Sequence, residues 1–556
     1  MSDIWKPELE LFETLVGSVP TILASQKSNG QFGDDPWICR DQHLILPLAT
    51  VWSLEMSPYY HSDTVLEAIV RGGDALIDAQ DNMGMWTFRK KDHSTWGQIF
   101  MPWTYSRWIR TYEIIREAVD DAVVPRWDAA LTLGFEGIAD RELSRIHNIP
   151  THHAMALYCA GRLLGQPQWR EKARDFLHQV VAEQSPHGWW TENVGPVVAY
   201  NFVYVDALGV YYHMCGDGEV LKALDRSVHF HAHYTYPDGS SVETVDERNA
   251  YHAGVHLGNP GFSYTDVGRG YLARQHALFL EAGGTFDTDY ATNMLLAAAE
   301  GPVESAGSSL DRSTYQMNKE AVIVRRKPWF ISLSAYICPP SDNRFRQDRQ
   351  NFVSIFHDQT GLIIGGGNTK LQPLWSTCTV GDPDLLFHTS GDETPDFNPR
   401  PELWHIPDHA ELWSNEDTAV LNLGYGDERY VVKITPISEE ELQIRCETTM
   451  RTGFQVEGHL TMIPHLDQPI QMSSGETLSL RGDEIRKTFN GAGWITHAGW
   501  RLSIPQDARL IWPVLPHNPY RKQGDATIEE ARIVVALPFS TCRLNYELTL
   551  KANNMP

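Results

Sequence analysis

The residues of this chain best suited to chemistry lie in short, widely separated stretches. Tyr200 and Tyr204 stand one helical turn apart in Tyr200-Asn201-Phe202-Val203-Tyr204, just after Gly188-Trp189-Trp190-Thr191-Glu192. A helix beginning near Val198 would put both phenols on one face. A phenol beside positive charge can take or give a proton; two packed tyrosines of an amphipathic helix would show the same spacing. Asn148-Ile149-Pro150-Thr151-His152-His153 carries a helix start at Pro150 and Thr151, which places both histidines in a first turn where partial positive charge gathers. Adjacent side chains diverge, so one histidine at most faces a cavity, and the pair lacks the spacing of a helical zinc site.

Two further stretches complete the set. In Asn343-Arg344-Phe345-Arg346-Gln347-Asp348-Arg349-Gln350-Asn351-Phe352, Arg344 and Arg346 alternate onto one face if the segment opens a strand. Paired guanidiniums can hold a carboxylate. Asp238-Gly239-Ser240-Ser241-Val242-Glu243-Thr244-Val245-Asp246-Glu247 gathers carboxylates that could bind a cation or sugar hydroxyls, or serve as a hydrolase pair. His405, in Leu403-Trp404-His405-Ile406-Pro407, stands apart from all of these.

The elements that must position these groups change type along the chain. Thr64–Ala79, Arg107–Val119, Thr151–Leu164 and Trp169–Glu183 carry apolar residues at helical spacing and end in Gly, Pro or Asn. A turn recurs among them: Gln26-Lys27-Ser28-Asn29-Gly30-Gln31-Phe32 returns as Gln80 to Trp86 and as Gln184 to Trp190, with Tyr236-Pro237-Asp238-Gly239 a looser copy. The spacing fits helical hairpins that curl into a toroid, each Gly turn throwing an aromatic to one rim. After residue 310 short β-branched runs take over, at 321–324, 329–335, 352–356, 361–364, 430–434 and 533–537. Helices first and strands later argue for segregated layers: an N-terminal toroid over 1–305 and a C-terminal antiparallel β-sandwich over 306–556, with linker composition at Gly301–Asp311.

Composition narrows the function. With 556 residues, 42% hydrophobic and 21% charged, the chain has ample core material. Acidic residues outnumber basic ones by 71 to 46, for a net charge of −25. That field repels nucleic acid and anionic membranes, so an acidic substrate needs a local basic pocket. The 7 cysteines include no C-x-x-C pair and read as reduced thiols. No apolar run reaches the ~18 residues of a membrane span. With no leader visible at the start the expected location is cytoplasmic, or periplasmic or secreted if a leader was removed. P-loop, Rossmann, G-x-S-x-G and H-E-x-x-H patterns are absent.

In the order of these pieces the chain resembles the heparinase II/III-like and oligoalginate-lyase polysaccharide lyases, which join an α/α toroid to antiparallel β-sheets. Thr151-His152-His153-Ala154 is similar to that family's N-H-x-x-A motif, with His152 at the Asn position and His153 at the His. Gly188 to Glu192 and Tyr200-Asn201-Phe202-Val203-Tyr204 look like its D-G-x-x-x-E and Y-H-x-Y stretches, with Tyr200 at the catalytic tyrosine and Asn201 replacing a His. Arg344-Phe345-Arg346-Gln347-Asp348 to Phe352 matches H-x-H-x-D-x-x-x-F in spacing, with Arg at both His positions. Guanidinium does not release its proton, so these two can only neutralise charge.

The resemblance implies cleavage of a uronate-containing glycan by β-elimination, a step in carbohydrate metabolism that needs no organic cofactor. Arg344, Arg346 and His152 would neutralise the uronate carboxylate, and Tyr200 would move the proton with His153 as its partner. Trp86, Trp189 and Trp190 would stack on sugar rings, with Glu192, Asn201, Tyr204 and His405 among the other substrate contacts. Relatives can hold a structural zinc or calcium, but no clear ligand set stands out. The expected partner is an acidic oligo- or polysaccharide, and a homodimer is left open. Two other readings stay open: a toroid glycosidase using Glu192, Glu243 or Asp246, and a carbohydrate-binding relative without activity.

Overall fold

The computed structural model describes residues 4–7, 9–347, 349–398, 400–415, 418–482 and 484–552. They form two compact units. The first holds the chain up to Trp189 with Ala199–Phe230 and Leu257–Ser305; the second holds Trp190–Val198, His231–His256 and the chain from Ala306 onward. Two segments from within the first 305 residues are thus built into the second unit.

Among the described residues there are eleven α-helices. They begin with α1 (Leu9–Ser25), α2 (Ile45–Ser53), α3 (Asp63–Ala79), α4 (Pro102–Ile115) and α5 (Val123–Arg141). Next come α6 (Asn148–Leu163), α7 (Pro167–Ala182), α8 (Val198–Cys215), α9 (Gly218–His233), α10 (Asp266–Glu281) and α11 (Thr288–Ala297). α2 is buried from Ile45 to Trp52, and α4 and α6 over most of their length; helices closed off on all sides belong inside. α1 instead buries one stripe, Leu11, Leu15, Val19 and Ile22. α2 packs on α4 and α11, and α4 on α6, as an inner row; α3 and α5 pack on each other, α3 on α2, and α5 and α7 on α6, as an outer row. This is the expected α/α toroid of helical hairpins. All four expected helices form, α4 starting earlier because Pro102 suits a first helical position.

The recurring turn has one geometry. Gly30, Gly84 and Gly188 take φ of 81°, 86° and 89°, a region in which a side chain is strained. In each copy the residue after the Gln receives the chain back: Lys27 N–H donates to the Gln31 carbonyl, Asp81 to Met85 and Ser185 to Trp189, all at 2.8 Å. The Gln itself reaches the next outer helix. Gln26 Nε2 donates to Ala68 O on α3 at 2.8 Å, Gln80 to Ala130 O on α5 at 3.2 Å, and Gln184 to Ala223 O on α9 at 2.9 Å. A Cβ at Gly30 or Gly188 would sit 2.1 Å from Arg71 O or 2.0 Å from Arg226 O. The aromatics do not gather at a rim, contrary to expectation. The returning chain turns them inward, so Phe32, Trp86 and Trp190 are all buried.

The second unit is all antiparallel, with an 11-stranded and a 9-stranded sheet among the described residues. In the larger, Arg312–Met317, Ala321–Arg326, Trp329–Ser334, Val353–His357 and Gly361–Ile364 run in sequence order, followed by Val456–Met462, Arg532–Pro538, Arg509–Val514 and Ile485–Thr488. The smaller is built around Ala419–Tyr425, Glu428–Pro436, Glu441–Thr448 and Asn545–Ala552. One core draws on both, with Ile331, Ile355 and Val535 from the first and Leu421, Ile444 and Leu548 from the second. The sandwich is as expected. Glu428–Pro436 alternates between buried and more open positions, whereas Trp329–Ser334 and Val353–His357 are buried throughout, as strands covered on both faces must be. The second cover is the 231–256 segment: Tyr236 stacks on Phe356 at 5.0 Å, and Glu243 accepts from the Ser354 hydroxyl at 2.6 Å.

Gly188→Ala tests the turn. The strained backbone and the clash with Arg226 O should together cost about 2–4 kcal/mol, read as a lower urea midpoint with unchanged slope.

Candidate functional site

In the helical unit, polar side chains from α4, α6, α8 and α11 converge. Arg107 on α4 donates from Nε to Asp289 Oδ1 at 2.8 Å and from Nη2 to Oδ2. Arg110, one turn on, donates to Asn293 Oδ1 at 2.6 Å. Burial alone would raise the Asp289 carboxyl, but the charge and hydrogen bonds of Arg107 outweigh it and hold the group at about 2. His152 on α6 sits with Nε2 3.6 Å from Asp206 Oδ2 on α8. Burial, then the charge of Arg107, pushes this imidazole down to about 3. It is neutral at neutral pH and cannot serve as the cation facing a carboxylate, which corrects the role expected for it.

His153 points elsewhere, as adjacent helical side chains must. Its Nε2 lies 2.7 Å from the Phe100 carbonyl, so that nitrogen carries the proton and donates. Nδ1 lies 3.8 Å from Glu142 Oε2, and burial holds the ring at about 4. The proton that was to serve Tyr200 is committed to the backbone ahead of α4.

α8 begins at Val198, as expected. Tyr200 is half-buried and Tyr204 fully buried, so of the pair Tyr200 is the one open to a ligand. Asn201 is buried and donates to the Gly188 carbonyl at 3.3 Å, tying α8 to the Gly turn. Trp189, Trp190 and Glu192 are also buried. Trp86 is core as well, its Nε1 donating to Leu76 O at 3.0 Å and its ring beside Tyr105, so it has no face for a sugar. His405 is 1% exposed within the sheet unit and equally closed to a substrate.

The carboxylates of residues 243–247 are structural clamps within the second unit. Glu243 accepts from the Tyr236 hydroxyl at 2.9 Å, the Ser354 hydroxyl and the Gly366 N–H at 3.0 Å. Asp246 accepts from Val198 N–H, where α8 starts, and from Arg248 and Asn249 N–H, all at 2.7–2.8 Å. Glu247 accepts from the backbone N–H groups of Asn193, Val194 and Gly195. A glycosidase acid must face a cavity with a proton to give; Glu243 is held by two hydroxyls and a backbone N–H, and Asp246 and Glu247 by backbone N–H groups, which weakens the case for a hydrolase pair.

The arginine motif is a turn instead of the expected strand. Arg346 N–H donates to Asn343 O at 3.1 Å while Asn343 Oδ1 captures Phe345 N–H at 3.0 Å, the local pairing that Asn uses to start turns. The strand begins only at Val353. Arg344 donates to the Arg521 carbonyl, and Arg346 Nε contacts Cys338 Sγ at 3.2 Å. Asp348 lies outside the described residues. Arg349, passed over in the sequence, is 0% exposed, and among the described residues none of its guanidinium nitrogens has a hydrogen-bond partner. Its guanidinium lies 5.7 Å from the centre of the Tyr336 ring, and Glu247 and Asp246 offset its charge.

Beside this turn lies a cavity of about 150 Å³, lined by Arg248, Tyr251, Trp375, His517, Tyr520 and Arg532 among others. Arg248 Nε donates to the Tyr520 hydroxyl at 3.1 Å, and the Arg532 guanidinium lies 4.7 Å from the centre of the Trp375 ring. Glu529 and Glu530 line it too, so a ligand here meets two guanidiniums, two carboxylates and several ring faces, a set suited to a small polar ligand such as one sugar acid. These residues are strewn from 248 to 532, and no spacing marks them as a group. Among the described residues no cluster of His, Cys, Asp or Glu has the makings of a metal site, and no helix is long and apolar enough to cross a membrane.

Two outcomes follow. Unfolded histidines take protons near 6.5, whereas His152 and His153 resist until about 3 and 4, so their stabilising contribution is full above 6.5 and is lost as pH falls. Each adds up to about 1.4 kcal/mol per pH unit to that slope, and His152→Gln should flatten urea stability measured between pH 6 and 4. Arg349→Met leaves the buried carboxylates of Glu247 and Asp246 without the guanidinium that offsets them and should lower stability to urea at neutral pH by about 3–5 kcal/mol.

No protein-family model matches this sequence, and no curated protein sequence does either. Solved structures do match, along nearly the whole chain. One is a chondroitinase AC lyase solved with oligosaccharides, at TM-score 0.56 and 11% identity, covering 99% of this chain and 82% of that one. Heparinase III matches at TM-score 0.55 and 10% identity over 100% and 85%. The heparan sulfate lyase HepC of Pedobacter heparinus, as a mutant, matches at 0.53 and 9% over 99% and 87%. The fold of this chain, helical toroid followed by antiparallel sheets, is the fold of these polysaccharide lyases.

Proposed function

We propose that this chain is a polysaccharide or oligosaccharide lyase that cleaves a uronate-containing glycan by β-elimination. The observation that carries the proposal is the fold match over 99% of the chain to a lyase of acidic glycans. Tyr200, half-buried at the start of α8, supports it as the accessible phenol. In the reaction a base removes the proton α to the uronate carboxyl, the bond from C4 to the linking oxygen breaks, and a C4–C5 double bond forms. The leaving oxygen takes up a proton. Tyr200 moves these protons, first as phenolate and then as phenol. The carbanion requires the carboxylate to be neutralised. Guanidiniums are suited to that: Arg344 and Arg346 are half-buried, and Arg248 and Arg532 line the cavity. Neutral His152 serves as a hydrogen-bonding group, not as a cation.

Ultraviolet absorbance during incubation with chondroitin sulfate, heparan sulfate and other polyuronates tests the reading. Wild-type protein should produce the absorbance of a conjugated double bond, and Tyr200→Phe should lower the rate by about 100-fold or more with an unchanged thermal midpoint. Reducing ends without a double bond would instead establish hydrolysis, and no product with retained binding would establish a lectin-like protein.

A further inference from the structure

Between α3 and α4 the chain makes a β-hairpin, Trp86–Arg89 paired with Thr95–Ile99. Its base is fixed by the buried Trp86 ring. Its tip is fixed too: Lys90 N–H donates to Ser94 O at 2.9 Å, Asp92 accepts from Ser94 N–H and Oγ, and Lys91 Nζ reaches Asp41 at 2.6 Å and the Asp34 and Pro36 carbonyls. Trp96 is 64% exposed. Lys90 Nζ lies 4.0 Å from its ring centre and Phe88 5.2 Å away, while Arg89, one residue along the strand and so on its other face, is exposed as well. Between Trp86 and Ile99 stand Arg89, Lys90 and Lys91 against Asp92, with Lys91 already paired to Asp41, in a chain whose net charge is −25.

We infer that this hairpin is a separate binding surface for an acidic glycan chain; the inference rests on the lyase reading for the class of glycan. An exposed indole offers the flat apolar face on which the C–H side of a pyranose packs, Lys90 beside it meets the carboxylate or sulfate that such a sugar carries, and Arg89 on the other face adds to the positive charge of the hairpin. Charge complementarity selects this occupant. A second copy of the chain would also bring carboxylates, but only a sugar acid joins its anion to a ring face that the indole can stack, and an uncharged glycan would leave the cations unused. Rigidity at base and tip means that binding orders little. The surface is available to a long polymer engaged at some distance from its cleaved bond, and a short oligosaccharide has no need of it.

Affinity electrophoresis of the full chain carrying Tyr200→Phe, in gels containing heparan sulfate, chondroitin sulfate or an uncharged glucan, reads binding without cleavage. The acidic polymers should retard the protein and the glucan should not. Trp96→Ala should weaken retardation about tenfold, a typical loss for an aromatic anchor. Arg89→Ala with Lys90→Ala should do the same in a salt-sensitive way. With Tyr200 intact, Trp96→Ala should raise KM on polymer while leaving rates on tetrasaccharides and the thermal midpoint unchanged. Retardation equal in parent and variants, or absent in the parent, overturns the inference, as does a Trp96-dependent dimer in sedimentation. Trp96-dependent retardation with no double bond ever formed would fault the lyase reading and leave the hairpin standing; double-bond formation indifferent to Trp96 on every polymer would do the reverse.

Discussion

A glutamine amide at the foot of an outer helix must find a carbonyl on the next outer helix, and much of the helical unit follows from that. Gln26, Gln80 and Gln184 each make this bond beside a glycine whose Cα lies too close to its neighbour for any side chain. The pair sets the spacing between successive hairpins. Inner helices are then drawn together so closely that α2 and much of α4 and α6 lose contact with water. The buried arginines of α4 find partners on α11: Arg107 bonds Asp289, which is part-exposed, and Arg110 bonds Asn293. The polar centre is in this sense a by-product of the turns.

This connection explains what was readable in the sequence. The turns were, because Gln and Gly at fixed spacing are local marks of a local geometry. The β runs were as well, since strands buried on both faces are written as continuous apolar residues. The direction of the aromatics was not: whether the residue after a Gly turn faces a rim or a core depends on the helix waiting beneath it. The bond between Arg107 and Asp289 spans 182 residues, and no periodicity connects such partners. At Arg344 and Arg346 the spacing invited a strand, but Asn343 supplied a competing hydrogen bond at its own doorstep and made a turn.

The distribution of charge is the second organising feature. The chain is strongly acidic overall, yet Arg107, Arg110, Arg349 and Arg532 are all nearly or fully buried. Screening shortens the reach of the outer charges to about 8 Å at physiological salt, while buried guanidiniums keep their field. An anionic ligand would therefore be repelled at long range and held at short range. That division favours selective capture over rapid encounter.

The 231–256 segment has a consequence for the birth of the molecule. Tyr236 and Glu243 leave the ribosome more than a hundred residues before Phe356 and Ser354, the groups they pack and bond with. A nascent chain that has finished α9 carries a stretch of buried-type residues whose sheet does not yet exist. Helical hairpins can close as they emerge, but this stretch must wait, shielded by a chaperone or by transient contacts, until strands from the far half are made. Synthesis of the first half thus ends with an unfinished product, and a stop codon near residue 305 would release it in that state.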